Sequence, residues 1–142
     1  MRKLYVIALL LPLLTFSQAK NVSQTDFLFT SAPIFPGCEE FYNSEKEKIK
    51  CFAEKFQQHI VNNFQYPKLA LRMKIQGIVY VKFMIDVDGS IKLIHTKGPH
   101  PLLEKEAARI VSLLPGIVPA RNGDEFVKVP FSIPVTFRLT PK

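Results

Sequence analysis

The stretch Val127-Lys128-Val129-Pro130-Phe131-Ser132-Ile133-Pro134-Val135-Thr136-Phe137-Arg138-Leu139 decides how this chain folds. Every odd position is apolar, and every even position between them is charged, hydroxyl-bearing or proline. A period of two without an exception predicts one long strand with a single face on a core. The prolines say which strand it is. Residues of one parity direct their backbone groups to the same edge, so Pro130 and Pro134 both withhold a donor on one side. Proline is tolerated where that side is open to solvent or bulged. The stretch therefore reads as an edge strand with its proline side outward. An open edge either receives an added strand or is blunted against one, and two prolines blunt it.

Working upstream, Gln76 to Val87 alternates too, with Val79, Val81, Phe83, Ile85 and Val87 on one side and Tyr80, Lys82, Met84 and Asp86 on the other. Asp88-Gly89 signals a hairpin into Ile91–Thr96. A two-residue loop would set Ile85 against Lys92. A three-residue loop, Val87-Asp88-Gly89, pairs Ile85 with Ile91 and Phe83 with Leu93, and gives Gly89 the left-handed position of a bulged turn. We expect the three-residue loop. His95 then falls on the core side near the strand end, as a structural histidine.

Three helices complete the pattern. Ser44 and Glu47 have the S-x-x-E form of a capping box, and behind them Ile49, Phe52, Ala53, Phe56 and Ile60 recur at helical spacing, with Lys48, Lys50, Lys55 and Gln57 on solvated faces. Pro67 opens a short second helix through Met73. Pro101 opens a third, with Leu103, Ala107, Ile110 and Leu114 on one face and a turn at Arg121-Asn122-Gly123 beyond it. The order helix, short helix, strand, strand, helix, strand predicts an α+β fold. Its three-stranded antiparallel sheet carries helices on one face and has the last strand at the edge.

The 142 residues, 47% hydrophobic and 22% charged, suit one globular domain. Arg2 and Lys3 precede an uncharged apolar run from Leu4 to Phe16, and Ser17-Gln18-Ala19 offers small residues at a cleavage site. The run is too short for a spanning helix, which takes about 20 apolar residues. We therefore expect residues 1–19 to be a removed secretion signal, 20–32 a flexible tail and 33–142 the folded domain, soluble in the periplasm without a permanent membrane anchor. In that oxidising compartment Cys38 and Cys51, the only two cysteines, are expected to form a disulfide. Two buried thiols or a redox pair are the alternatives.

Motifs for catalysis, phosphate binding or dinucleotide binding are missing, and His59, His95 and His100 share no ligand spacing. Asp86-x-Asp88-x-Ser90 starts like a calcium loop but lacks the later glycine and glutamate. The +7 charge is scattered, without the interleaved exposed aromatics that nucleic acid binding favours. The chain reads as a binding module, with no catalytic residue, cofactor, metal or nucleic acid partner.

These residues also carry a family resemblance. It runs through Tyr66-Pro67-x-x-Ala70, Ile75-Gln76-Gly77, Val79-x-Val81-x-Phe83-x-Ile85, Asp88-Gly89, Glu106-Ala107, Pro119, Gly123 and the closing strand, and the chain there resembles the TonB C-terminal domain family. The cysteine-bearing segment before it looks like an extension of Bacteroidota-type members. The resemblance implies binding to periplasmic segments of TonB-dependent outer-membrane transporters, or to other proteins of that system. A partner peptide would add to the last strand, and the polar stretch before Tyr-Pro would also touch it. Here those regions are Lys128, Ser132, Thr136 and Arg138, and Asn62, Asn63, Gln65 and Tyr66. A homodimer through the same edge is another use of it. The chain departs from an energy transducer in lacking a retained membrane helix and a long proline-rich spacer, and from a plain edge in carrying Pro130 and Pro134. An adaptor or regulator is therefore expected. The alternative is a structural protein, or one that binds acidic envelope polymers.

Overall fold

A computed structural model describes residues 29–140. The expected signal and residues 20–28 of the expected tail lie outside them. The elements are α1 (Glu45–Asn63), α2 (Lys68–Arg72), β1 (Gly77–Ile85), β2 (Ile91–Lys97), α3 (Pro101–Ser112), β3 (Ala120–Asn122), β4 (Glu125–Val127) and β5 (Val129–Phe137), with a single 3-10 turn at Glu39–Phe41 before α1. The main sheet has the order β2-β1-β5, and both pairings are antiparallel. Its apolar face lies under the helices, with Val79, Val81, Phe83, Ile85, Val135 and Phe137 packed against Phe56, Ile60, Leu103, Ala107 and Ile110. The other face, bearing Tyr80, Lys82, Ser132, Pro134 and Thr136, is exposed. This is the expected α+β architecture.

The β1–β2 hairpin has the three-residue loop. Ile85 pairs with Ile91 and Phe83 with Leu93, and the Asp86 amide donates to Ser90 O at 2.9 Å. Gly89 adopts φ +82°, and a Cβ there would stand 2.2 Å from the Ile117 carbonyl oxygen. Handedness and space thus both demand glycine. Further along β2 the register shifts, so Lys82 meets His95 while Phe83 meets Leu93. Ile94 is the extra residue of this bulge, and a bulge re-aims the side chains beyond it. The expectation for His95 is corrected on this account, because the ring is exposed.

Two further differences concern the last strand and α1. The thirteen-residue alternation is two strands, not one. β4 pairs with β3 across a tight turn at Gly123 (φ +64°), and only β5 joins β1. Lys128 and Arg138 therefore flank β5 instead of lying within it. In α1 the buried side chains are Lys48, Cys51, Phe56 and Ile60, whereas Ile49 and Ala53 are exposed. The helix is rotated relative to its apolar pattern because tertiary bonds hold it. Cys38 and Cys51 form the disulfide, with Cα atoms 5.9 Å apart. Closing so short a loop contributes about 3 kcal/mol by loop-closure entropy.

Lys48 Nζ donates to Ser31 Oγ at 2.6 Å and pairs with Glu45, whose second carboxylate oxygen accepts the Ala32 amide at 2.8 Å. Residues 30–34, the first three of which belong to the expected flexible tail, are thereby strapped down. Ser31 bridges Arg121, and Ile34 bridges Val118.

Burial raises the Glu45 carboxyl pKa, but the bonds to Lys48 and Ala32 outweigh it and hold the group below the usual carboxylate range. A depressed carboxylate stabilises the fold above its unfolded pKa, and that contribution fades as pH falls through the folded value. Amide-exchange protection at Ala32 and Ile34 should therefore drop, relative to Val81, as pH is lowered below about 4. Glu45→Gln should abolish that pH dependence. Unchanged relative protection in the wild type would contradict the role given to Glu45.

Candidate protein-binding edge

Among the described residues β5 has a neighbouring strand on one side only. Its pairing with β1 continues without a register shift from Val129↔Ile85 to Phe137↔Gly77, through Pro130↔Met84 and Pro134↔Tyr80. Directly opposed antiparallel residues alternate between exchanging both amide bonds and exchanging none. Proline has no amide hydrogen, so an unbroken ladder across both prolines requires the odd residues to bond β1. The even residues Pro130, Ser132, Pro134 and Thr136 therefore turn their backbone groups to the open edge. That edge offers four carbonyls but amide donors only at Ser132 and Thr136.

The flanking helix shapes what can approach. Phe52 stacks on Phe131 with centroids 5.5 Å apart, and Phe64 meets Phe137 at 5.2 Å. Hence α1 runs alongside β5 in the same sense, while α3 covers β1 and β2. Between α1 and the C-terminal half of β5 lies a groove of about 460 Å³, walled by Gln57, Ile60, Val61 and Phe64 and by Pro134, Val135, Thr136 and Arg138. The sequence reading missed Gln57 and Val61. Val61 is 65% exposed, and an apolar residue off the buried face of a helix was the signal available for it.

The expected site residues separate into two groups. Ser132, Thr136 and Arg138 are exposed on or just beyond the edge, and Lys128 is exposed at the far end, where its ammonium lies 3.9 Å from Asp86. Of the stretch before Tyr-Pro, only the side chains of Asn62 and Gln65 are left exposed. Asn63 donates from its side chain to His59 O at 2.8 Å. Tyr66 donates to Ile75 O and packs edge-on against Phe137, and its burial raises the phenol pKa.

Arg109 and Glu106 hold this corner. Glu106 accepts both Arg109 Nε, at 2.8 Å, and the Gln65 amide, at 3.0 Å, while Arg109 Nη2 donates to Asn63 O. Hydrogen bonding to Glu106 raises the Arg109 pKa further, despite its partial desolvation. Among the described residues no group of three His, Cys, Asp or Glu side chains could hold a metal ion, and no helix is long and apolar enough to cross a membrane.

Glu106 is nearly buried, so Glu106→Ala leaves Arg109 Nε and the Gln65 amide without their acceptor. A loss of about 1–3 kcal/mol in urea unfolding is expected, together with faster amide exchange at Gln65. An unchanged midpoint would remove Glu106 as the clasp.

The chain is similar to two solution structures of the Helicobacter pylori TonB C-terminal domain. One spans residues 179–285 of that protein (24% identity, TM-score 0.48, covering 75% of this chain and 95% of that one). The other spans residues 194–285 (28% identity, TM-score 0.38, covering 64% and 97%). No curated protein matches. Residues 62–139, more than half of the chain, match the family described as Gram-negative bacterial TonB protein C-terminal. That stretch runs from the Glu106-held corner through β5, and the chain belongs to the TonB C-terminal domain family.

Proposed function

We propose that this chain is a non-enzymatic periplasmic module that binds proteins of TonB-dependent outer-membrane transport by accepting an extended segment along the open edge of β5. Domains of this family in general interact with outer-membrane transporters and are typically periplasmic. The open edge carries the reading for this chain: among the described residues no strand pairs with the outer side of β5, where the register turns four carbonyls and two amides outward beside a groove. An added strand gains main-chain bonds for affinity and side-chain pockets for choice. With residues 1–19 removed on export, the module is untethered. It then acts as an adaptor or regulator, since a severed link transmits no force. Asn62, Gln65 and Arg138 extend the contact surface beyond the strand.

The prolines make strand addition testable atom by atom. Each outward residue of β5 can donate and accept one bond, and Pro130 and Pro134 only accept. A net hydrogen bond contributes about 0.5–1.5 kcal/mol. Pro134→Thr restores a donor and should tighten binding of periplasmic N-terminal transporter segments about 2- to 10-fold. Thr136→Pro removes one and should weaken it by a similar factor. Calorimetry at two salt concentrations checks both. A steep fall with ionic strength would instead favour acidic envelope polymers, which the net positive charge remaining after loss of Arg2 and Lys3 would attract. Absence of binding at high micromolar segment would defeat the proposal.

A further inference from the structure

We infer that the domain selects partner strands carrying two apolar side chains four residues apart, seated in two separate pockets between α1 and the β5 edge. This rests on the strand-addition reading and deepens it. A residue paired directly with a β5 residue points to the same face of the sheet. Partner residues opposite Phe131, Ile133 and Val135 therefore face the helix layer, and those opposite Ser132, Pro134 and Thr136 face solvent.

The helix above is spaced to receive them. From Phe52 to Phe64, the residue that caps α1, the helix rises about 18 Å, and β5 from Phe131 to Phe137 spans about 20 Å. Their ring contacts at both ends keep the two in step. On α1 the row Ile49, Ala53, Gln57, Val61 is exposed along its whole length. Four helical residues advance about 6 Å, nearly the same as two strand residues at about 6.7 Å. With Phe52 in step with Phe131, a partner side chain opposite Phe131 stands near Phe52, and one opposite Val135, about 13 Å further on, stands near Ile60 and Val61.

The row ends in apolar residues at two places, and each borders a cavity. At the Phe131 end, a pocket of about 140 Å³ is lined by Phe29, Ala32, Pro33, Ile49, Phe52 and Phe131, with no charged residue among them. At the Val135 end, the larger groove presents Ile60, Val61 and Phe64. Val61 and Ile49 are 65% and 48% exposed, so each retains apolar surface for a partner to cover. Phe131 and Val135 are four residues apart, and so are the partner side chains opposite them. Polar residues suffice at the one inward position between them, opposite Ile133, and outward.

The test uses the ¹⁵N-labelled protein and blocked decapeptides of Thr and Ser carrying two Leu residues. One peptide spaces them i, i+4 and another i, i+5. The spacing of five places one Leu on the solvent face in any register, so sliding along the edge does not rescue it. The i, i+4 peptide should bind at least about tenfold more tightly, given the apolar area covered. Val61→Lys and Ile49→Lys, both at exposed positions, should each cancel most of that preference while amide spectra show the fold intact.

Equal binding of both peptides, with shifts centred on Ser132 and Thr136, would overturn the spacing rule and leave strand addition standing. Failure of both peptides while transporter segments still add to the edge would have the same meaning. Shifts that avoid β5 altogether would overturn strand addition and the rule together. Line broadening at Ser132–Thr136 in the protein alone, growing with its concentration, would assign the β5 edge and its groove to a second copy and overturn the rule.

Discussion

Proline withholds one hydrogen, and in β5 that deficit orients the sheet. Had Pro130 and Pro134 faced β1, the ladder would have lost a bond at each, and buried carbonyls of β1 would have gone unpaired at about 1–3 kcal/mol apiece. Turned outward, they cost the ladder nothing and leave nine consecutive pairs intact from Val129 to Phe137. The odd residues are then committed to the core, since backbone direction and side-chain face are locked together along a strand. Val135 and Phe137 are buried, and Phe131 joins the ring cluster with Phe52 and Phe83. One parity choice therefore sets the bonded side, the buried face and the donors left at the edge.

The same choice limits how the edge behaves. A full row of donors and acceptors invites indiscriminate pairing, and natural sheets blunt such rows. Here two donors are deleted while all acceptors on that side remain. Main-chain bonding is thereby weakened, and side-chain contacts gain a larger share in deciding what binds. That shift gives significance to the α1 flank, held in place by the Cys38–Cys51 disulfide and by the Lys48, Glu45 and Ser31 contacts. Those contacts rotate α1 so that Lys48 is buried and Ile49 faces out beside the edge. The N-terminal extension thus shapes the channel as well as stabilising the fold.

Much of this was legible in the chain. The alternation of β1 and β5 survives because each has one buried face, and two prolines of one parity name an edge. The β1–β2 loop came from asking which register keeps Ile85 and Phe83 opposite apolar partners. The features that escaped did so for physical causes. β3 and β4 are three residues each, shorter than any period can reveal. The bulge at Ile94 carries no glycine to betray it, so His95 was placed inward. The facing of α1 was misread at Ile49, Ala53 and Lys48 because its apolar stripe competes with a disulfide and a buried ion pair made to residues elsewhere in the chain. The groove was invisible for the same reason, since Val61 and Val135 meet only in the folded state. Asn63 and Tyr66, expected as contact residues, are half-buried, and their side chains bond the His59 and Ile75 carbonyls.

Among the described residues no strand stands beside the even residues of β5, and native-state amide exchange of the free protein tests this open edge most directly. Strong protection is predicted at Phe131, Ile133, Val135 and Phe137, whose amides bond β1, and rapid exchange at Ser132 and Thr136, whose amides have no strand beside them. Comparable protection at both parities would mean that the edge is already occupied or sealed. Protection at Ser132 and Thr136 with exchange at the odd residues would mean that the ladder runs through the opposite parity, and the orientation given to β5 would be wrong.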